Sequence, residues 1–226
     1  MPALLDSTSQ GSVGNASSLS WSHTIGSLGA QGLILVLAMG REQTGDNDPE
    51  HPVSATFNGV AMTQIINTAN DQTAGVLFAI RGSQCPGPGT YTITVNYQGN
   101  GTAEFHHGVS AAFKRVRDQA VEGTNQNTTS SGGRKQVTLT PLSKNALVIG
   151  AYWWRVGFAL TQYSDFTHLV TDRVDNQGGA ALYYKIVQIP DLITFDVDGG
   201  NTETNSLMIA SWESGKALGG LLTSFF

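Results

Sequence analysis

The sequence predicts an all-β protein, a two-sheet β-sandwich built from an internal duplication and carrying extended N- and C-terminal arms. Three observations predict it. Helical periodicity is nearly absent, apolar or β-branched runs alternate with Gly/Asn/Asp clusters, and the later runs repeat the earlier ones.

The elements follow in order. Residues 1–18 are mostly Ser, Gly, Asn and other small residues, too polar to pack alone, and are expected to form an extended arm. Strands are expected at 19–24, 33–40, 53–57, 62–67, 75–81, 90–97 and 104–116, each an apolar or β-branched run closed by turn residues. The polar, Gly-rich stretch 123–133 reads as a surface crossover and a site of proteolysis, within a connecting segment 118–135. Strands resume at 136–140, 146–155, 166–171, 180–187, 192–197 and 206–213, and residues 214–226 form an apolar tail.

The repeat sets the domain organisation. Leu33 through Arg41 lies over Leu147 through Arg155 at an offset of 114, and Met62 through Arg81 lies ungapped over Phe166 through Lys185 at 104. Ile93 through Gly99 matches Ile193 through Gly199 at 100, and Ala111 through Phe113 matches Ala210 through Trp212 at 99. A half of this kind needs a partner sheet for its buried face. Residues 19–117 and 136–213 are therefore expected to contribute half the strands each to one sandwich spanning 19–213.

The succession Ser20-Trp-Ser-His-Thr-Ile-Gly26, Leu33–Met39, Thr56-Phe-Asn-Gly-Val-Ala-Met-Thr63, Val76-Leu-Phe-Ala-Ile80 and Gly89-Thr-Tyr-Thr-Ile-Thr-Val95 resembles a jelly-roll β-sandwich module. Such modules recur in virion proteins of tailed bacteriophages, decoration (cement) or tail proteins among them, and in bacterial surface proteins. The resemblance covers Leu19 to Glu213 and lies in strand and turn chemistry. It implies a jelly-roll-like sandwich with a structural or adhesive role, and it brings no catalytic residues.

Composition narrows the function. Charged residues are 13% of the chain, about half the usual share, so the surface is built mainly from Ser, Thr, Asn, Gln and Gly. A net charge of −5, with no basic cluster beyond Lys114, Arg115 and Arg117, argues against nucleic acid as a partner. The longest apolar runs, 33–39 and 146–154, are too short to span a bilayer, and Met1–Asp6 has no signal-peptide pattern. Assembly inside a cell followed by life outside it is the expectation. The single Cys85, in Cys-Pro-Gly-Pro-Gly, has no intrachain disulfide partner.

Candidate sites are few. Asp196-Val-Asp198-Gly-Gly-Asn201 has the carboxylate density of a calcium loop and also the chemistry of a tight hairpin turn. Its counterpart, Asn96 through Gly101, keeps the turn residues and lacks every carboxylate, which favours the turn. Asp46 through His51 reads as an exposed acidic loop, and adjacent strand residues such as His106 and His107 point to opposite faces. There is no Gly-x-Ser-x-Gly nucleophile motif, and Gly26, Gly29 and Gly32 precede a strand instead of a helix. No catalytic, cofactor or metal residue is assigned, and the protein is expected not to be an enzyme.

Two features point to contacts. Trp153 and Trp154, followed by Arg155, suggest an exposed stacking or anchoring group, with a Trp covered by the following loop as the alternative. Leu218, Leu221, Leu222, Phe225 and Phe226 either fold back over the sandwich or dock on a neighbour. The expected role is a capsid decoration or cement protein on the virion surface, homo-oligomeric with a trimer as one option, contacting the major capsid protein or another virion protein. The alternative is a glycan-binding adhesin or a tail-fibre or baseplate module.

Overall fold

The computed structural model describes residues 1–14, 16–42, 51–70, 73–98, 103–129, 134–155, 161–174, 178–198 and 205–215. Among them the strands are β1 (Leu4–Val13), β2 (Ser18–Ile25), β3 (Leu33–Glu42), β4 (His51–Phe57), β5 (Val60–Ala61), β6 (Thr63–Asn70), β7 (Thr73–Arg81), β8 (Gly89–Gln98) and β9 (Ala103–Lys114) in the first half. The second half holds β10 (Gly123–Thr129), β11 (Arg134–Leu139), β12 (Ala146–Trp154), β13 (Thr161–Gln162), β14 (Thr167–Val174), β15 (Gly178–Val187), β16 (Ile193–Asp198) and β17 (Asn205–Trp212). Two single 3-10 turns lie at Gly29–Gln31 and Gly82–Gln84.

The fold is all-β, and it has four layers. An inner sheet, β1-β9-β3-β7-β6, is covered by an outer sheet, β2-β8-β4-β5; a second inner sheet, β10-β17-β12-β15-β14, is covered by a second outer sheet, β11-β16-β13. Three apolar layers separate them. On β3, Ile34, Val36 and Ala38 face the first outer sheet while Leu33, Leu35, Leu37 and Met39 face the second inner sheet. On β12, Val148, Tyr152 and Trp154 face the second outer sheet while Leu147, Ile149, Ala151 and Trp153 face the first inner sheet. A strand whose side chains alternate between two dry faces shows no polar alternation, which is why these runs are continuously apolar.

Each half closes a two-sheet core of its own, and the central layer joins the halves. The strand order of the first inner sheet recurs in the second when β1, β9, β3, β7 and β6 are set against β10, β17, β12, β15 and β14. β1 lies over β14 and β6 over β10, so the halves are related by an approximate twofold rotation about an axis along the strands.

Two strands lie where none was expected. The 1–18 arm instead carries β1, paired along its length with β9, and the 118–135 connection carries β10, paired with β17. Both are edge strands of polar composition, Leu-Leu-Asp-Ser-Thr-Ser-Gln-Gly-Ser-Val and Gly-Thr-Asn-Gln-Asn-Thr-Thr. Their stabilisation comes from main-chain pairing more than side-chain burial, so periodicity carries no trace of them.

The ungapped match of 62–81 to 166–185 also fails by one residue. Two residues separate β6 from β7, whereas three separate β14 from β15. Both pairs carry an irregularity at the corresponding place, Gln64/Ile66 and His168/Val170. The β6 and β14 match stands, but Leu77 corresponds to Leu182, each pointing into the central layer. A one-residue slip reverses the faces of a strand, so the correction decides which side chains meet.

Close packing across the central layer depends on Gly75. A methyl group there would overlap the Trp153 indole, whose Nε1 donates a 2.8 Å hydrogen bond to Thr68 Oγ1. Gly75→Ala is expected to lower unfolding free energy by about 3 kcal/mol, combining overpacking with strain on a buried hydrogen bond. Urea titration of the variant against the parent measures it.

Candidate functional site

Polar side chains form three clusters, two inside the stack and one on its outer surface. The first joins β1, β2 and β9. His23 is fully buried; its Nε2 lies 3.0 Å from Ser7 Oγ, and its Nδ1 lies 2.7 Å from Ser9 Oγ and 2.8 Å from Ser110 Oγ. Trp21 Nε1 donates to Ser9 Oγ at 3.1 Å. A Ser-His contact is the pairing that activates hydroxyl nucleophiles. Here the ring is sealed between two sheets, and burial lowers its pKa to about 4 against the opposing pull of Asp6. It is a core histidine with its hydrogen bonds satisfied. Nearby, Asp6 accepts from Lys114 Nζ at 2.7 Å and from the Gly26 N–H at 2.6 Å. Burial works to raise the Asp6 pKa, and these partners together hold it below its usual value.

The second cluster spans the central layer. His107 on β9 and Asp172 on β14 are 2.6 Å apart through Nδ1 and Oδ2, with side-chain exposures of 0% and 7%. His106, its neighbour, turns the other way, stacks on Tyr97 with ring centroids 3.6 Å apart, and donates from Nε2 to the Ala16 carbonyl. Burial lowers the His106 pKa to about 4. The two histidines occupy different layers, as expected for adjacent strand residues. Among the described residues no three His, Cys, Asp or Glu side chains converge.

The third cluster covers the outside of the second outer sheet. Asp196 accepts from Arg134 Nε at 2.9 Å and from Gln136 Nε2 at 2.7 Å, and the Arg134 guanidinium lies 4.3 Å from the Tyr163 ring centre. The Arg134 hydrogen bond holds the Asp196 carboxyl below its usual range. Its oxygens are engaged within the sheet; residues 199–204, on which the choice between calcium loop and hairpin turn depends, lie outside the described residues. So do 46–50 of the acidic loop, while His51 is half-buried.

The proposed exposed contact is not exposed. Trp153, Trp154 and Arg155 are all buried, Trp153 in the central layer and Trp154 between the second inner and outer sheets, where it stacks on Tyr152 with ring centroids 5.2 Å apart. The physical reason is that β12 is the middle strand of a sheet covered on both faces, so neither side chain of an adjacent pair has a route to water. Leu218, Leu221, Leu222, Phe225 and Phe226 lie outside the described residues. Cys85 is half-buried, and burial followed by the charge of Asp118 pushes its thiol up to about 12, away from nucleophilic use.

The outer face of the first outer sheet was not singled out from sequence. Ser18, Ser20, Ser22 and Thr24 on β2 alternate with the buried Leu19, Trp21, His23 and Ile25. Facing them in register are Asn96, Thr94, Thr92 and Thr90 on β8. Ser20 and Thr94 hydroxyls are 2.9 Å apart, Thr24 and Thr90 hydroxyls 2.8 Å apart, and Asn96 Nδ2 donates to Ser54 Oγ on β4 at 3.0 Å. β2, β4 and β8 contain no Asp, Glu, Lys or Arg, so this face is a sheet of mutually bonded, uncharged groups. The alternation was visible in the sequence; its openness to solvent was not. Geometry thus defines an all-β layered protein in which strands β2, β4 and β8 of the first outer sheet present an uncharged outer face. No family model matches the chain, and no curated protein matches it.

Acid stability follows from the buried histidines. Unfolded, each titrates near 6.5; folded, His23 and His106 titrate near 4, so between those values the unfolded chain binds more protons. Stability is expected to be level near neutrality, to fall as pH drops from about 6.5 to 4, and to lose roughly 3 kcal/mol per histidine over that window. Urea titrations at pH 7 and pH 4.5 test this. Replacing His106 by Gln is expected to shrink the difference by about half, since one of the two titrating groups is removed.

Proposed function

We propose that the protein is a structural component of a tailed-phage virion, a decoration or cement protein that stabilises the head by non-covalent contacts. The observation that carries this reading is the uncharged hydroxyl face of the first outer sheet, on a slab stiffened by three apolar layers. Such a face associates through shape and hydrogen bonds, needs no chemistry, and is insensitive to salt. The reading also rests on the strand and turn resemblance to phage modules and on the low charge. Its partners are the major capsid protein or another virion protein, and further copies of the chain in a symmetric homo-oligomer such as a trimer.

Quantitative mass spectrometry of purified particles tests this. A head-surface lattice predicts on the order of hundreds of copies per particle, while a tail or baseplate component predicts far fewer. Purified protein is expected to bind purified capsids equally at low and high salt. A protein that stays monomeric and associates with no particle at high concentration overturns the structural reading.

A second reading, glycan binding, is favoured by one feature. Tyr163 is 52% exposed and carries Arg134, Gln136 and Asp196 beside it, an aromatic face with planar hydrogen-bonding groups. Saturable binding on a glycan array that is lost in Tyr163→Ala would support it, and an array without signal would remove it.

A further inference from the structure

The edge strand β1 is fastened differently from its counterpart β10. Each is an end strand of its sheet and pairs on one side only, β1 with β9 and β10 with β17. Among the apolar residues of 1–14 only Ala3 is buried, so β1 would give up little apolar contact on leaving the sheet. What holds it is polar. Ser7 and Ser9 of β1 lie 3.0 and 2.7 Å from the two ring nitrogens of His23, and just past the strand His106 Nε2 donates to the Ala16 carbonyl. His106 also pairs in register with Val13, the last residue of β1. Both imidazoles are fully buried. β10 uses amides instead: Asn125 and Asn127 donate to the Thr138 and Gln136 carbonyls of β11. The only histidine after His107 is His168, exposed on β14.

We propose that β1 is an acid-released strap: protonation of His23 and His106 frees it from β9 and β2 while the rest of the stack stays folded. Lifting β1 takes Ser7, Ser9 and Val13 away from the two rings and gives each a route to water. The open form therefore accepts protons that the closed form resists. The groups facing His23 are Asp6 of β1, already bonded to Lys114 Nζ of β9 and to the Gly26 N–H, Ser110 of β9, Phe57 of β4, and Tyr91 of β8, whose hydroxyl donates to the Gly87 carbonyl. His106 faces Tyr97 of β8; its neighbour His107 points into the central layer toward Asp172 of β14, the layer that Arg41 of β3 also faces. Burial lowers both folded pKa values to about 4, so opening is favoured as pH falls from 6.5 and levels off below 4. Asp6 is held below its usual range and stays ionised through that window. Release bares the edge of β9, a row of main-chain donors and acceptors that another strand can take. The device does not rest on the virion reading, because it concerns one molecule alone.

Hydrogen–deuterium exchange of the full chain tests it, read by mass spectrometry at pH 7 and pH 5 and corrected for the intrinsic exchange rate. Each histidine shifts the opening equilibrium roughly 20-fold over that interval, so the protection of β1 is expected to fall roughly 400-fold. At pH 5 the β1 amides are expected to be at least roughly tenfold less protected than those of β10 and β12. Equal protection of the three strands at pH 5 overturns the proposal, since opening is then global. Protection of β1 that is the same at both pH values also overturns it. In His106→Gln, whose amide can still donate to the Ala16 carbonyl, the fall is expected to shrink to roughly 20-fold, and an undiminished fall overturns the proposal. The comparison of strands in the parent chain needs no variant, so it stands even where His106→Gln fails to fold.

Discussion

The two inner sheets are buried on both faces, and most other features follow from that constraint. Leu33 through Met39 and Ala146 through Trp154 must be apolar on both sides of the strand, because one side meets the outer sheet and the other the opposite half. A sheet in that position has no solvent face on which to hide a large or charged residue. Size is regulated instead: Gly75 makes room for Trp153, and Gly150 admits the Phe195 ring, which would lie 2.8 Å from a methyl group at that position. Close packing of this kind fixes distances between layers, so the outer sheets inherit a rigid base.

Apolar faces alone leave the angle and offset between layers poorly defined, since dispersion and burial are nearly indifferent to small slides. Directional bonds remove that freedom. Trp153 Nε1 to Thr68 Oγ1 and His107 to Asp172 both cross the central layer, near the same end of the strands. An unpartnered charge at Asp172 would be costly in such a place, so a shifted packing that broke the pair would be disfavoured by several kcal/mol. The first half uses the same device in its own core, where His23 holds β1 and β9 to β2 through three serine hydroxyls. This explains how β1, with little apolar burial, is held in place.

Legibility in the sequence follows the source of each element's stability. Strands stabilised by apolar burial, such as β3, β12 and β15, were readable to within a few residues because hydrophobicity records burial directly. β1 and β10 were not, since main-chain pairing to β9 and β17 leaves no mark on side-chain pattern. The number of cores was not readable, because two short strand sets look alike whether they share one core or each close their own. That question turns on whether a continuous apolar run means one buried face or two, and Trp153-Trp154 shows the difficulty most sharply. Adjacent aromatics suggest one residue in and one out, unless both sides of the strand are in. The partners of His107 and Asp196 lie some sixty residues away in the chain and have no local signal.

The low charge takes on a different meaning once the layers are known. Of 29 charged residues, Arg41, Lys135, Arg155, Asp172 and Asp196 are buried, so the surface holds fewer charges than composition implies. Asp6, largely buried, is taken up by Lys114, and Arg117 by Glu213. Among the described residues, Arg117–Glu213 and His107–Asp172 join the two halves, while Lys114–Asp6 and Arg134–Asp196 join neighbouring strands. With a net charge of −5, long-range steering has little to act through. Under the proposed virion role a partner is recognised at contact, by the shape of the slab and by hydroxyl and amide groups such as those on β2 and β8. Such contacts gain affinity from area and fit, and they favour assemblies in which many copies are held against neighbours at once.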